Sequence, residues 1–269
     1  MKQGVFTEEE LAEIYCYGKG LSVPPIDVLA HLSKNAYTKE TGTSYENESL
    51  WIEQMCYQDK YFFTYAKLFF EIGTNRAVIS WAGTETNKQW ARGTIGMIFN
   101  ELAWNETFKY CEEAVELFLK KYPKKDFYVT GHSAGGTIAQ HASRVYRLGG
   151  GSFNAPGVDY GVLSIFLHSV HIYDISHPRF YNHVIKGDTF TYELCSFSDI
   201  TKYYGTVIEH EKLATSPERL HSIQFFIEKH IYSTEDGSEC SNENCNKNKV
   251  NLKKPWTGTV NKLMKIFGF

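Results

Sequence analysis

Residues 126–143 read DFYVTGHSAGGTIAQHAS. A short apolar, β-prone run, DFYVT, passes into Gly131-His132-Ser133-Ala134-Gly135-Gly136 and then directly into a helical pattern. Ile138, Ala142 and Val145 recur at helical spacing, and Gly149 stands where a helix would stop. A strand that turns into a helix within so few residues crowds its own backbone, so small side chains are needed on both sides of the turn. Residues 131–135 are G-x-S-x-G, the pattern in which a serine is lifted out of a sheet on a strained turn. The first N–H groups of the following helix are then available to a developing oxyanion. As five residues the pattern is weak, and a structural or anion-binding turn would share it. The flanking strand and helix point to a nucleophile elbow, which calls for an acid and then a histidine further along the chain.

Outward from the elbow, strands and helices alternate. Residues 105–122 form the clearest helix, with Phe108, Cys111, Val115, Phe118, Leu119 and Tyr122 on one face and Pro123 closing it. Two β-rich runs flank Gly73-Thr74-Asn75 as a hairpin, the second running from Ala77 to Trp81. Residues 7–16, with Thr7 and Glu10 as a capping box, and residues 26–38, behind Pro24-Pro25, read as helices. The segment SLWIEQMCYQ, residues 49–58, is expected to be a further helix. Strands are expected in GSFNAP, YNHVIKG and YYGTVIE. The fold class expected is α/β, with a mostly parallel central sheet and helices on both faces. Residues 1–232 are expected to form this domain, residues 233–255 a polar linker or loop, and residues 256–269 a basic amphipathic segment.

Composition narrows the function. The 269 residues carry a formal charge of −3, and no apolar run approaches the roughly 18 residues that a membrane-spanning helix needs. Residues 247–269 contain six lysines and no acid, so the rest of the chain carries −9, a poor surface for nucleic acid. Residues 256–269 place Val260, Leu263, Met264 and Phe267 on one helical face beside Lys262 and Lys265. Such a segment suits peripheral contact with a membrane interface, or docking on the body of the protein. The N-terminal residues lack a signal-peptide pattern, so a cytoplasmic location is expected, with export by another route left open. Cys16, Cys56, Cys111 and Cys195 lie in apolar surroundings and are expected to be buried. Cys240 and Cys245 lack companions at metal spacing and are candidates for a disulfide in an oxidising compartment. No metal and no cofactor are expected.

The motifs together resemble the fungal-lipase-type, or class 3 lipase, family of α/β-hydrolases. The resemblance rests on SWAGTETNKQW, with Thr84 and Trp90 six residues apart, on GHSAGG, FNAPG and HVIKGDTF, and on LHSIQFF, and it spans roughly residues 25–232. It implies the α/β-hydrolase fold and a cofactor-free serine hydrolase acting on lipid or other esters. Ser133 would be the nucleophile, Asp188 the acid and His221 the base, with Thr84 and the N–H of Ala134 receiving the oxyanion. Asp188 follows a strand, where α/β sites are built; Asp174 and Asp199 are its rivals. His210, His183 and His230 rival His221. His132 is expected to support the site and His141 to be structural. Ala82 stands where the family usually has Arg, and Ala134 where Leu is frequent. Ile95, Met97, Ile98 and Phe99, in the segment ARGTIGMIFNELAW, are candidates for a lid or acyl-binding surface, or for an ordinary core segment. A lipase and a phospholipase both fit. Acyl transfer or thioester hydrolysis by the same residues, and an inactive lipid-binding module, are the alternatives.

Overall fold

The structure, a computed structural model, describes residues 23–46, 49–58, 65–83, 101–158, 179–188, 191, 203–210 and 220–227, with only the backbone described for 101–106. Eight strands form one sheet in chain order: β1 (Ser44–Glu46), β2 (Leu50–Gln58), β3 (Tyr65–Glu71), β4 (Arg76–Trp81), β5 (Asp126–His132), β6 (Gly149–Phe153), β7 (Phe180–Ile185) and β8 (Thr206–His210). The first three pairings are antiparallel and the four from β4 to β8 are parallel. Three long helices lie among the described residues, α1 (Ile26–Asn35), α2 (Glu101–Lys121) and α3 (Ala134–Tyr146), and residues 224–227 are also helical.

The parallel strands add in a single direction, and right-handed crossovers then place successive connecting helices on the same side. One core accordingly packs Phe118, Leu119, Ile138 and Ala142 of α2 and α3 against Ala77, Ile79, Phe127 and Val129. The alternate residues of the same strands, Val78 and Tyr128, face the opposite way. They pack on Val28, Leu29 and Leu32 of α1 and on Leu220, Phe226 and Ile227. A sheet covered on both faces requires strands that are apolar throughout, and β5 is buried at all seven positions. This is the α/β-hydrolase fold. Among the described residues no helix is long and apolar enough to cross a membrane.

Several expectations change. Residues 50–58 are a strand, not a helix: Trp51 and Glu53 point inward while Gln54, Cys56 and Gln58 point out. The charge of Glu53 disguised this period of two. It is buried against Lys67 of β3 at 3.1 Å, and the Lys67 ammonium also donates to the carbonyl of Glu40 and to Thr38 Oγ1. Cys56 is therefore exposed, whereas Cys111 is buried as expected. In α3 the inward row ends at Tyr146, whose hydroxyl donates to Glu112 O and Glu116 Oε1, and Val145 is left 38 % exposed beside that row. Arg147, at φ 55°, ends this helix in place of Gly149, which already pairs with Tyr128 as the first residue of β6. The helix expected over 105–122 starts earlier, at Glu101, and the one expected over 26–38 ends at Asn35. Residues 7–16, 233–255 and 256–269, with Cys16, Cys195, Cys240 and Cys245, lie outside the described residues.

Candidate active site

β5 runs between β4 and β6, so the residue that leaves its C-terminal end emerges mid-sheet. That residue is Ser133, with φ 56° and ψ −130°. A non-glycine residue in that region carries strain of about 1–3 kcal/mol, which the surroundings must hold in place. Here the Ser133 N–H donates to Phe153 O at 3.0 Å, and its carbonyl accepts from Gly136 N at 2.9 Å and Thr137 N at 3.3 Å. The turn closes only because glycines stand at its closest approaches. A Cβ on Gly131 would strike the Gly135 carbonyl, and one on Gly135 would strike the carbonyls of Trp81 and Ala82. The N–H of Ala134 opens α3, in the first turn, where no carbonyl precedes it in helical register.

Two remote segments meet this serine. β7 ends at Ile185, and a turn with Gly187 at φ 82° delivers Asp188, whose N–H donates to Ile185 O at 3.1 Å. The Asp188 side chain is fully buried. Its Oδ2 accepts from Thr191 Oγ1 at 2.7 Å and from His221 Nδ1 at 2.8 Å. The opposite ring nitrogen, His221 Nε2, lies 2.9 Å from Ser133 Oγ. A carboxylate only accepts, so Nδ1 carries the proton and Nε2 is left to receive one from the serine hydroxyl. The structure thus brings together Ser133, Asp188 and His221, which are distant in sequence.

His132 lies on the opposite face of β5 from Gly131, on the side covered by α1. Its Nε2 is 2.6 Å from the carbonyl of His221 and its Nδ1 is 2.8 Å from Tyr37 Oη. Burial, reinforced by the neighbouring His221, lowers its pKa from the usual value to about 3. The ring is therefore neutral. A carbonyl can only accept, so Nε2 donates to His221 O, and Nδ1 accepts from the Tyr37 hydroxyl. His141 bridges helices: it stacks on Phe108 with centroids 3.9 Å apart and its Nε2 is 2.8 Å from Glu112 Oε1.

Of the rival bases, His183 and His210 contact each other, Nδ1 to Nε2, at 3.1 Å and both pack near Phe226. His230, Asp174 and Asp199 lie outside the described residues, as do Thr84, Trp90, Ile95, Met97, Ile98 and Phe99. Ala82 is buried and its N–H donates to Tyr65 O at 3.0 Å. Among the described residues no cluster of His, Cys, Asp or Glu could hold a metal ion. Three residues to which the sequence assigns no role lie around the site: Thr191 donates to Asp188 Oδ2, Asn154 donates to Leu220 O next to His221, and Tyr37 donates to His132, whose ring in turn holds His221 O. Asn154 sat within a quoted motif, FNAPG, but its partners are far away in the chain.

The family model of lipase (class 3) matches residues 78–151, the stretch from β4 through the elbow and α3 into β6. The resemblance expected from the motifs is present there. Solved structures with similar coordinates include the Lip2 lipase of Yarrowia lipolytica, at 15% identity over 73% of this chain and 81% of that one, with a TM-score of 0.49. The Rhizomucor miehei lipase propeptide complex has 15% identity over 76% and 69%, with a TM-score of 0.43. A triacylglycerol lipase from Penicillium expansum has 15% identity over 71% and 82%, with a TM-score of 0.43. Curated protein sequences contain no match to the chain.

Proposed function

We propose that this chain hydrolyses lipid esters through Ser133, His221 and Asp188. The observation that carries the reading is the imidazole of His221 spanning from Ser133 Oγ at 2.9 Å to Asp188 Oδ2 at 2.8 Å. In the reaction, His221 Nε2 takes the serine proton as Oγ attacks the acyl carbonyl. Asp188 holds the ring in the required tautomer and stabilises the imidazolium that forms. The carbonyl oxygen becomes an oxyanion facing the N–H of Ala134 at the start of α3, with Thr84 as its second donor. The tetrahedral intermediate collapses, the alcohol leaves with the proton held on Nε2, and an acyl-serine remains. Water then attacks this ester, His221 takes one of its protons, and the acid is released as the proton returns to Ser133.

The match to the class 3 lipase model over residues 78–151 supports a lipid ester as substrate. Both lipase and phospholipase activity are compatible with this chemistry, and turnover of acylglycerols against phospholipid liposomes separates them. The direct test is fluorophosphonate labelling. The wild-type chain is expected to label at Ser133 and to turn over p-nitrophenyl esters. Ser133→Ala is expected to abolish labelling and to lower turnover by about 10⁴-fold or more. Labelling that survives Ser133→Ala would refute the assignment.

A further inference from the structure

We propose that Asn154 is a positioning residue for His221, acting through the main chain and paired in that task with His132. The inference rests on His221 being the base. The residues that carry His221 have two consecutive carbonyls held by buried side chains: Asn154 Nδ2 donates to Leu220 O at 2.7 Å and His132 Nε2 donates to His221 O at 2.6 Å. Gripping two successive carbonyls fixes the orientation of the peptide between them, and with it the direction in which the His221 side chain leaves the backbone.

Asn154 also reaches the acid. Its Oδ1 accepts from Ile185 N at 3.0 Å, and Ile185 O in turn accepts from Asp188 N at 3.1 Å. A single amide thus joins the turn that bears Asp188 to the residues that bear His221, across the end of β6. Its own backbone is pinned there, with its N–H donating to His183 O at 2.8 Å and φ at 43°, a conformation that asparagine tolerates better than most residues. The side chain is fully buried. One partner is a donor and the other an acceptor, so both ends of the amide are used and the side chain has a single orientation. Aspartate has the same shape, but its ionised form presents oxygen to the Leu220 carbonyl and loses that bond. Protonation restores a donor.

Asn154→Asp therefore reads the mechanism through pH. With the folded fraction followed by circular dichroism, kcat is expected to fall about 10- to 100-fold at neutral pH, with KM changed less than about twofold, because misplacement of the base affects the chemical step. The ratio of variant to wild-type kcat is expected to rise as pH falls and the new carboxyl protonates; taking the ratio removes pH effects common to the two proteins. A second readout does not depend on turnover: the low-field proton resonance of the His221 Nδ1–H···Asp188 bond should shift or broaden in Asn154→Asp at neutral pH and recover at lower pH. A wild-type chain that labels at Ser133, beside a variant with unchanged kcat and an unchanged resonance, would overturn the inference and leave the hydrolase reading standing. A wild-type chain that does not label, with a resonance that still responds to Asn154→Asp, would sink the hydrolase reading while supporting the grip on His221.

Discussion

The nucleophile and the base are held by opposite means. Ser133 is placed by its own neighbours in the chain: β5 before it, α3 after it, and glycines at 131 and 135 that let the two approach. His221 is placed almost entirely from afar. Its ring meets residues 33 and 88 positions away, its carbonyl a residue 89 away, and the preceding carbonyl a residue 66 away. Local placement needs small residues at fixed spacing, whereas remote placement needs buried donors and acceptors delivered by the sheet. The first leaves a sequence motif. The second leaves scattered polar residues that look ordinary until the strands are ordered.

Perturbing each side separately tests this contrast. With the nucleophile itself left in place, the largest effect is expected at the remote contact closest to the chemistry. In Asp188→Asn the amide can present N–H to His221 Nδ1, favouring the wrong tautomer, and kcat should fall by about 10³- to 10⁴-fold with little change in melting temperature. An ester assay with a thermal melt on the same sample checks it, and a loss below tenfold would break the proposed role. The local side is expected to fail as folding and not as chemistry. Gly135→Ala drives a Cβ into the backbone of Trp81 and Ala82, atoms that cannot rotate aside. The cost should approach about 3 kcal/mol, the upper end for overpacking, as read by urea denaturation. A wild-type midpoint would show that the elbow has room that its contacts deny.

The smallest of these effects concerns the grip of His132. Its folded-state pKa of about 3 lies below the ordinary value of 6.5, so below pH 6.5 the unfolded chain takes up a proton that the folded chain refuses. The stability this residue supports is present above pH 6.5 and is lost as the pH falls towards 3. Between pH 7 and pH 5 the loss is about 2 kcal/mol. His132→Gln retains a donor for His221 O but has no proton to gain, so its stability should fall by about that much less over the same interval. Equal pH dependence in the two proteins, measured by denaturation at pH 7 and pH 5, would show that the ring is not held neutral by burial.

The fold was legible where its physics is local. The β3–β4 hairpin signalled itself by Gly73 between two β-rich runs, and the elbow by small residues between a buried strand and an amphipathic helix. β2 was misread because a buried ion pair placed Glu53 at an inward position, and no single-strand pattern announces a partner such as Lys67 on the next strand. Asp188 and His221 were singled out by resemblance and by their position after strands. Asp174 and Asp199, and His210, His183 and His230, stood as rivals because no local pattern shows which side chain will face the serine. Tyr37 and Thr191 carried no signal, and Asn154 only its place in FNAPG, because a hydroxyl or amide has a function only through the atom it faces.

By itself the sequence determined that a serine would stand on a strained turn between a strand and a helix, since that conformation depends on residues adjacent in the chain. Only the tertiary structure decided which imidazole and which carboxylate lie beside it, and which buried side chains hold them there. The reason is directional: a hydrogen bond needs a donor and an acceptor within about 3 Å and aligned, and only the packing of β5, β6 and β7 with residues 220–227 brings those atoms to that separation.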